Sequence, residues 1–199
     1  MSGAFDVQAI RAQFPILSRQ VPGRPLVYLD NAASAQKPNA VIDAMTHIMR
    51  HSYANVHRGL HTLANEATQA YEGAREASRR LVNARNADEI VFTKSATHAI
   101  NIVAAGIGQR IQPGDEIVLS VMEHHSNIVP WHFLRDRRGA VLKWVELDED
   151  GSLDFDSLER ALGPKTRLLA LSHMSNVLGT VNDVKRAGAM AHAVGAEVL

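Results

Sequence analysis

The sequence predicts an α/β fold, a mostly parallel sheet flanked by helices and preceded by N-terminal helices. Three observations carry that prediction. From residue 89 onward, short apolar runs alternate with stretches of helical spacing, the order expected of a parallel sheet covered on both faces. The runs themselves, such as Ile117-Val118-Leu119, are apolar at consecutive positions, as a strand buried on both faces requires. Turn residues such as Gly114-Asp115 and Gly195 fall between the runs and the helices.

Taken in order, the elements are as follows. Asp6 caps a short amphipathic helix that Pro15 stops near Phe14. Residues 26–29 read as a short strand. Pro38 opens a helix carrying Val41, Ile42, Met45, Ile48 and Met49 at helical spacing. Residues 52–63 are polar and contain Gly59, so they read as a loop. Residues 64–82 form a long helix in which Glu72 and Glu76 stand three or four positions from Arg75, Arg79 and Arg80. Then come strand EIVFT, helix THAINIVAAGI, strand EIVLS, and helix SNIVPWHFLRDR with Pro130 near its start. Strand AVLKWVEL, helix LDFDSLERAL capped by Asp154, strand RLLALSH, helix NDVKRAGAMAHAVG and the start of a strand, EVL, complete the chain. The division expected is a helical segment at 1–25 and one incomplete sheet domain at 26–199, with no internal repeat or low-complexity linker.

Composition narrows the function classes. The 199 residues can build one sizeable core, and 46% hydrophobic with 21% charged is ordinary for a globular protein. Lys+Arg and Asp+Glu are 21 each, which argues against a nucleic-acid partner bound by phosphate neutralisation. No run approaches the length of a membrane-crossing helix, and the N-terminus has no apolar signal core, so a cytoplasmic protein without a membrane partner is expected. There is no cysteine, which excludes disulfides and thiolate metal sites within these residues. His47 and His51 have the i,i+4 spacing of a zinc pair but no intervening HExxH pattern; a solvated helix face is the plainer reading, and no metal is expected.

Two places could carry chemistry. In FTKSATHAIN, at residues 92–101, small residues sit at a strand-to-helix turn. The backbone N–H groups of Ala96 and Thr97, with the Thr97 hydroxyl, suit a phosphate, because a helix N-terminus has free donors and partial positive charge. Ordinary capping by Ser95 or Thr97 would explain the same residues. In GDEIVLSVMEHHSNIVPW, at residues 114–131, Glu123, His124 and His125 follow the carboxyl end of a strand, the edge where open α/β sheets bind ligands. An imidazole there can stack on a flat ring and move protons near neutral pH; a pair of loop histidines bonded to backbone is the alternative. His125 is expected to face away from His124. Glu123 is read as orienting the loop or capping the next helix.

The 114–131 stretch resembles one found in cysteine desulfurases, pyridoxal-phosphate (PLP) enzymes of fold type I. Three further segments support the resemblance. VYLDNAASAQKP at 27–38 is similar to the family's first strand and substrate loop, and SYANVHRGLHTL at 52–63 to the loop of the SUF-type branch. LSHMSNVLGTV at 171–181 is similar to the strand and loop that reach the cofactor's pyridine ring. The four motifs occur in the family's order, and the resemblance runs from about residue 14 to 199.

The resemblance implies a PLP fold type I large domain and a cysteine desulfurase acting on L-cysteine to give L-alanine and an enzyme persulfide. It implies sulfur delivery to an acceptor protein for iron–sulfur cluster assembly, with selenocysteine as a possible further substrate, and a homodimer at full length. It assigns the phosphate to Ala96 and Thr97, the ring-stacking and catalytic role to His124, and the cofactor's phenolate oxygen to Asn176. A turn asparagine is the plainer reading of Asn176. His173 at the same strand end is read as structural. Asn31, Ala32 and Ala33 would lie near the substrate, and His57 and Arg58 near the active site and dimer interface; a solvated basic loop would account for the last two. Two departures from the pattern stand out: His98 replaces a usual acidic residue, and Lys94-Ser95 a usual Arg-Gly.

A desulfurase also needs a cysteine nucleophile and a lysine that holds the cofactor covalently. Neither is found: cysteine is absent, and none of Lys37, Lys94, Lys143, Lys165 or Lys185 stands in the family's lysine motif. The expectation is that the chain corresponds to about the N-terminal half of the parent enzyme and is inactive by itself. The competing expectations are a related fold-type-I lyase or aminotransferase, and a non-catalytic binding or interface fragment.

Overall fold

The computed structural model describes residues 5–199. The chain divides into two compact units, Met1–Val91 and Phe92–Leu199.

In the first unit, helix α1 (Val7–Ala12) is capped by Asp6, whose carboxylate accepts from the N–H groups of Gln8 and Ala9. A single 3-10 turn, Pro15–Ser18, follows, with proline in its first turn. Strands β1 (Gln20–Val21) and β2 (Arg24–Pro25) then pair antiparallel around Gly23, which takes the left-handed φ of 73° the turn needs. Helix α2 (Asn39–His51) begins one residue after Pro38, and helix α3 (Thr62–Leu81) is capped by the His61 ring. The strand expected at 26–29 does not form. Pairing stops at Pro25, and Val27 and Leu29 are exposed with no neighbouring strand. Alternation of side chains is not enough without a partner to take the backbone hydrogen bonds.

The second unit holds the sheet. Helix α4 (Ala96–Ile107) leads into β3 (Glu116–Ser120), helix α5 (Val129–Arg138), β4 (Val141–Val145), helix α6 (Phe155–Ala161), β5 (Thr166–Ala170), helix α7 (Val184–Ala193) and β6 (Glu197–Val198). The four strands are all parallel, in the order β4-β3-β5-β6. The register runs Glu116↔Val141 through Ser120↔Val145 on one side of β3 and Ile117↔Leu168 to Leu119↔Ala170 on the other. Ile117, Val118 and Leu119 are fully buried, as consecutive apolar residues in a central strand should be.

Two apolar layers cover the two faces. Ile117, Leu119, Leu168 and Ala170 pack with Ala104 and Ile107 of α4 and Trp131 and Leu134 of α5. Val118, Val145 and Leu169 pack on the other face with Leu158 and Ala161 of α6 and Ala187 and Ala191 of α7. The period of two along β3 and β5 therefore sorts side chains between two helical layers rather than between core and water.

A second expected strand, EIVFT at 89–93, is missing as well. Ala87–Glu89 is a 3-10 turn closed by a capping box between Asn86 and Glu89, and residues 90–93 join no ladder. The carbonyl of Ile90 accepts from the Arg75 guanidinium instead, a side-chain bond that takes the place of a strand partner.

Candidate cofactor site

Of the site residues in the second unit, His124 and Asn176 stand on turns that the parallel sheet produces, while Ala96 and Thr97 open a helix that no strand of the sheet precedes. Helix α4 starts at Ala96, with Ser95 as its cap: the Ser95 hydroxyl accepts from the His98 N–H at 3.2 Å. The capping reading is thus right for Ser95. It leaves the N–H groups of Ala96 and Thr97 without an acceptor among the described residues, at the exposed end of a twelve-residue helix. The His98 ring turns back, its Nδ1 accepting from the Lys94 N–H at 3.5 Å, so both departures from the usual pattern act within the turn itself. Free donors on a dipole-aligned helix start match the chemistry of a phosphate monoester.

His124 lies four residues beyond the end of β3, and Asn176 six beyond the end of the neighbouring β5. The strands are parallel and paired, so both residues follow the same edge of the sheet. Both side chains are exposed. His124 caps the 3-10 turn His125–Asn127, with Nδ1 accepting from the Ser126 N–H at 3.1 Å and 2.8 Å from the Ser126 hydroxyl. That same turn packs against α4 and α5. His125 begins the turn rather than continuing a strand, so strand alternation does not govern where it points; its ring stands edge-on to that of His124, centroids 6.1 Å apart.

Asn176 opens the loop beyond β5. The turn's own donors are met by another residue: Ser175 Oγ accepts from the N–H groups of Val177 and Leu178 at 3.3 and 3.1 Å. The Ser175 N–H donates to the Thr180 carbonyl, and Gly179, at φ 74°, donates back to Ser175. The Asn176 amide is therefore not spent on the turn, contrary to the plainer reading of an asparagine there.

A buried polar clamp fixes the two loops to each other. Glu123 is 7% exposed and accepts four hydrogen bonds. Its Oε1 takes the Ser120 hydroxyl at 2.6 Å and the Ser172 N–H at 2.9 Å; its Oε2 takes the Ser172 hydroxyl at 2.6 Å and the Asn127 amide at 2.8 Å. Asn127 Oδ1 accepts in turn from Trp131 Nε1 at 3.1 Å. On the far side of Ser172, the Asn182 amide donates to its carbonyl at 2.7 Å, while the Asn182 N–H donates to the carbonyl of His173. Glu123 orients the loop, as one sequence reading held, and does not cap the next helix. Ser126, Asn127, Ser172 and Asn182 were not singled out from sequence. The only available signal was that small polar residues flank the strand ends.

The other predicted residues belong to the first unit. Asn31 and Tyr28 line a cavity of about 510 Å³ with Arg11, Phe14 and Gln36, and Asn31 Oδ1 accepts from the Gln36 N–H. Ala33 is exposed in the same loop. His57 and Arg58 both adopt left-handed backbone, φ 62° and 53°, which is unusual for side chains of this size. Helix α3 holds His57 there: the His57 N–H donates to Thr68 Oγ1 at 2.8 Å, and the His57 ring lies 2.8 Å from Glu72. Among the described residues no group of three or more His, Asp or Glu is placed to hold a metal ion, and no helix is long and apolar enough to cross a membrane.

Residues 27–199 match the family described as Aminotransferase class-V. The chain belongs to this family. A cysteine desulfurase of Salmonella newport (strain SL254) is 51% identical over 196 residues, which cover 98% of this chain and 48% of that protein. The apo cysteine desulfurase of Thermococcus onnurineus NA1 superposes with a TM-score of 0.90 at 34% identity, over 100% of this chain and 48% of that one. The cysteine desulfurase CsdA of Escherichia coli, in its S-sulfonic acid form, gives 0.83 at 40% identity, over 99% and 48%. SspA in complex with cysteine gives 0.78 at 27% identity, over 87% and 49%. The chain spans about half the length of the curated relatives it matches.

Proposed function

We propose that this chain is the cofactor-binding part of a PLP-dependent cysteine desulfurase of the SUF type, converting L-cysteine to L-alanine with transfer of sulfur to an enzyme thiol. The observation that carries the reading is the joint placement of His124 and Asn176 beyond the carboxyl ends of two adjacent parallel strands, clamped together through Glu123 and Ser172. The likeness to named cysteine desulfurases, and to a neighbour seen in complex with cysteine, supports the choice of substrate.

PLP, when bound, supplies an electron sink for the negative charge left when the substrate amino acid loses a proton. The residues of this chain hold and orient. The N–H groups of Ala96 and Thr97 and the Thr97 hydroxyl bind the phosphate. His124 stacks on the ring and holds or moves a proton at Nε2, the nitrogen that Ser126 leaves free. Asn176 donates its amide to the phenolate oxygen. Asn31, Ala33, His57 and Arg58 belong to the substrate loop and the subunit interface of a homodimer. In the overall reaction the substrate C–S bond breaks, an S–S bond forms to the enzyme thiol, and the carbon gains a proton. With no cysteine among the 199 residues, that thiol is supplied from outside them. The persulfide sulfur then passes to an acceptor protein for iron–sulfur cluster assembly in the cytoplasm.

The test is a pair of substitutions in the full-length enzyme. His124→Ala should lower kcat for alanine formation roughly 100-fold or more, the usual weight of a positioned acid–base group, while His125→Ala should cost only a few-fold. Equal losses would remove His124 from its assigned role.

A further inference from the structure

We propose that Glu123 is a positioning residue whose buried carboxylate sets the loop that presents His124, and that Ser126 then fixes the imidazole as the Nε2–H tautomer. The first half rests on geometry alone. A carboxylate has about four acceptor positions, and all four are used, by donors from three places: the end of β3, the 3-10 turn before α5, and Ser172, two residues beyond β5. Nothing else in the second unit ties these three together through one side chain. Glu123 is adjacent to His124, so the backbone that carries His124 is pinned one residue before it and, through Asn127, three residues after it.

The second half follows from which groups can donate. A backbone N–H only donates, so the Ser126 N–H at 3.1 Å requires an unprotonated Nδ1. In the neutral ring the proton then resides on Nε2. In that tautomer the Ser126 hydroxyl, 2.8 Å from the same nitrogen, can act toward it only as a donor, sharing the one Nδ1 lone pair with the N–H. His124 thus offers its outer nitrogen as a donor and keeps the inner one engaged. The carboxylate does not touch the imidazole, so Glu123 acts through the loop. That the presented face meets a PLP ring rests on the function proposed above; the tautomer and its anchor do not.

The experiment uses the 199-residue chain with nitrogen-isotope-labelled histidine. Two-bond proton–nitrogen correlation spectra at a pH of about 8.5, well above an ordinary imidazole pKa of about 6.5, read each tautomer directly. His124→Ala assigns the signal, and His192 on α7, outside this loop, serves as the internal reference. The expected spectrum shows His124 with Nδ1 at the unprotonated position and Nε2 at the protonated one. In Glu123→Gln, the amide offers one acceptor oxygen and turns an N–H2 toward two donors that had a partner. The separation between the two His124 nitrogen shifts should then shrink toward a two-tautomer average, with His192 unmoved. Should Glu123→Gln fail to fold, the double variant Ser120→Ala, Ser172→Ala removes two hydroxyl donors while keeping the charge, and the same shrinkage is expected. A wild-type His124 that is protonated at Nδ1 or already averaged overturns the tautomer assignment. A folded variant with the His124 pattern unchanged overturns the positioning role and leaves Glu123 with stability alone. Titrating excess PLP into the wild-type sample reports on the cofactor separately: a His124 signal that does not move counts against the ring-stacking reading and leaves the tautomer result standing.

Discussion

At the scale of single residues, the site is built from donors and acceptors that are satisfied on one side and free on the other. Trp131 shows what the satisfied side contributes. Its ring is fully buried against Ile117 and Leu119, and its Nε1–H ends the chain of hydrogen bonds that starts at Glu123. Trp131→Phe removes packing volume and leaves Asn127 Oδ1 buried without its donor. The expected loss of stability is about 2 kcal/mol, combining an unsatisfied acceptor with a partial cavity, read as a lower urea midpoint at unchanged slope. Much of this scale was legible in the sequence. The free donors at Ala96 and Thr97 follow from a helix start, and His124 from its place after a strand. The clamp was not legible, because Ser172 meets Glu123 across 49 residues of sequence, and only the pairing of β3 with β5 brings them together.

At the scale of elements, helices and central strands follow from local pattern, because each carries its own signal of caps and period. Asp6, Asp154 and Asp183 all cap the helices they precede. The two strands wrongly expected, at 26–29 and 89–93, fail for a shared reason: a strand is stable only with a neighbour, and local sequence does not say whether one is present. Helix α3 permits a direct test of surface charge. Arg79 donates to both oxygens of Glu76, and Arg80 is 3.2 Å away. The hydrogen bond from Arg79, more than the charges of Arg79 and Arg80, holds the Glu76 carboxyl below its ordinary range. A depressed carboxyl stabilises the fold above its unfolded pKa, and that contribution disappears as pH falls through the lower folded value. Glu76→Gln should therefore lower the thermal midpoint slightly at neutral pH, and by less in added salt, since the pair is only half-buried and salt reaches it. The difference from wild type should vanish in acid. A gap that persists below the carboxylate range would show that the glutamate acts by packing rather than charge.

At the scale of the whole molecule, the two units differ in what holds them. The second has two apolar layers about a four-stranded sheet, whereas among the described residues of the first only Ser52, Ala64 and Ala67 are buried. The residues proposed for the cofactor all lie in the better-packed unit, His124 and Asn176 on turns fixed by its sheet and Ala96 and Thr97 at the start of a helix packed on that sheet, which suits a site that must hold its geometry. Holding is a different matter from turnover. None of the 199 residues is a cysteine, so this polypeptide has no thiol to accept sulfur. Among its lysines, Lys143 is engaged by Glu116 at 2.8 Å and by the Ala161 carbonyl. Binding of PLP to this chain would rest on the Ala96 and Thr97 donors, the His124 face and the Asn176 amide, each contributing about 1 kcal/mol net, more where charge is involved. Purified chain mixed with PLP should therefore show weak binding that dialysis reverses. On addition of L-cysteine it should yield no alanine or sulfide above the rate of PLP alone. Production at an enzyme-like rate, in material free of any longer form, would mean that the sulfur is accepted without a protein thiol and would overturn the proposed chemistry at its central step.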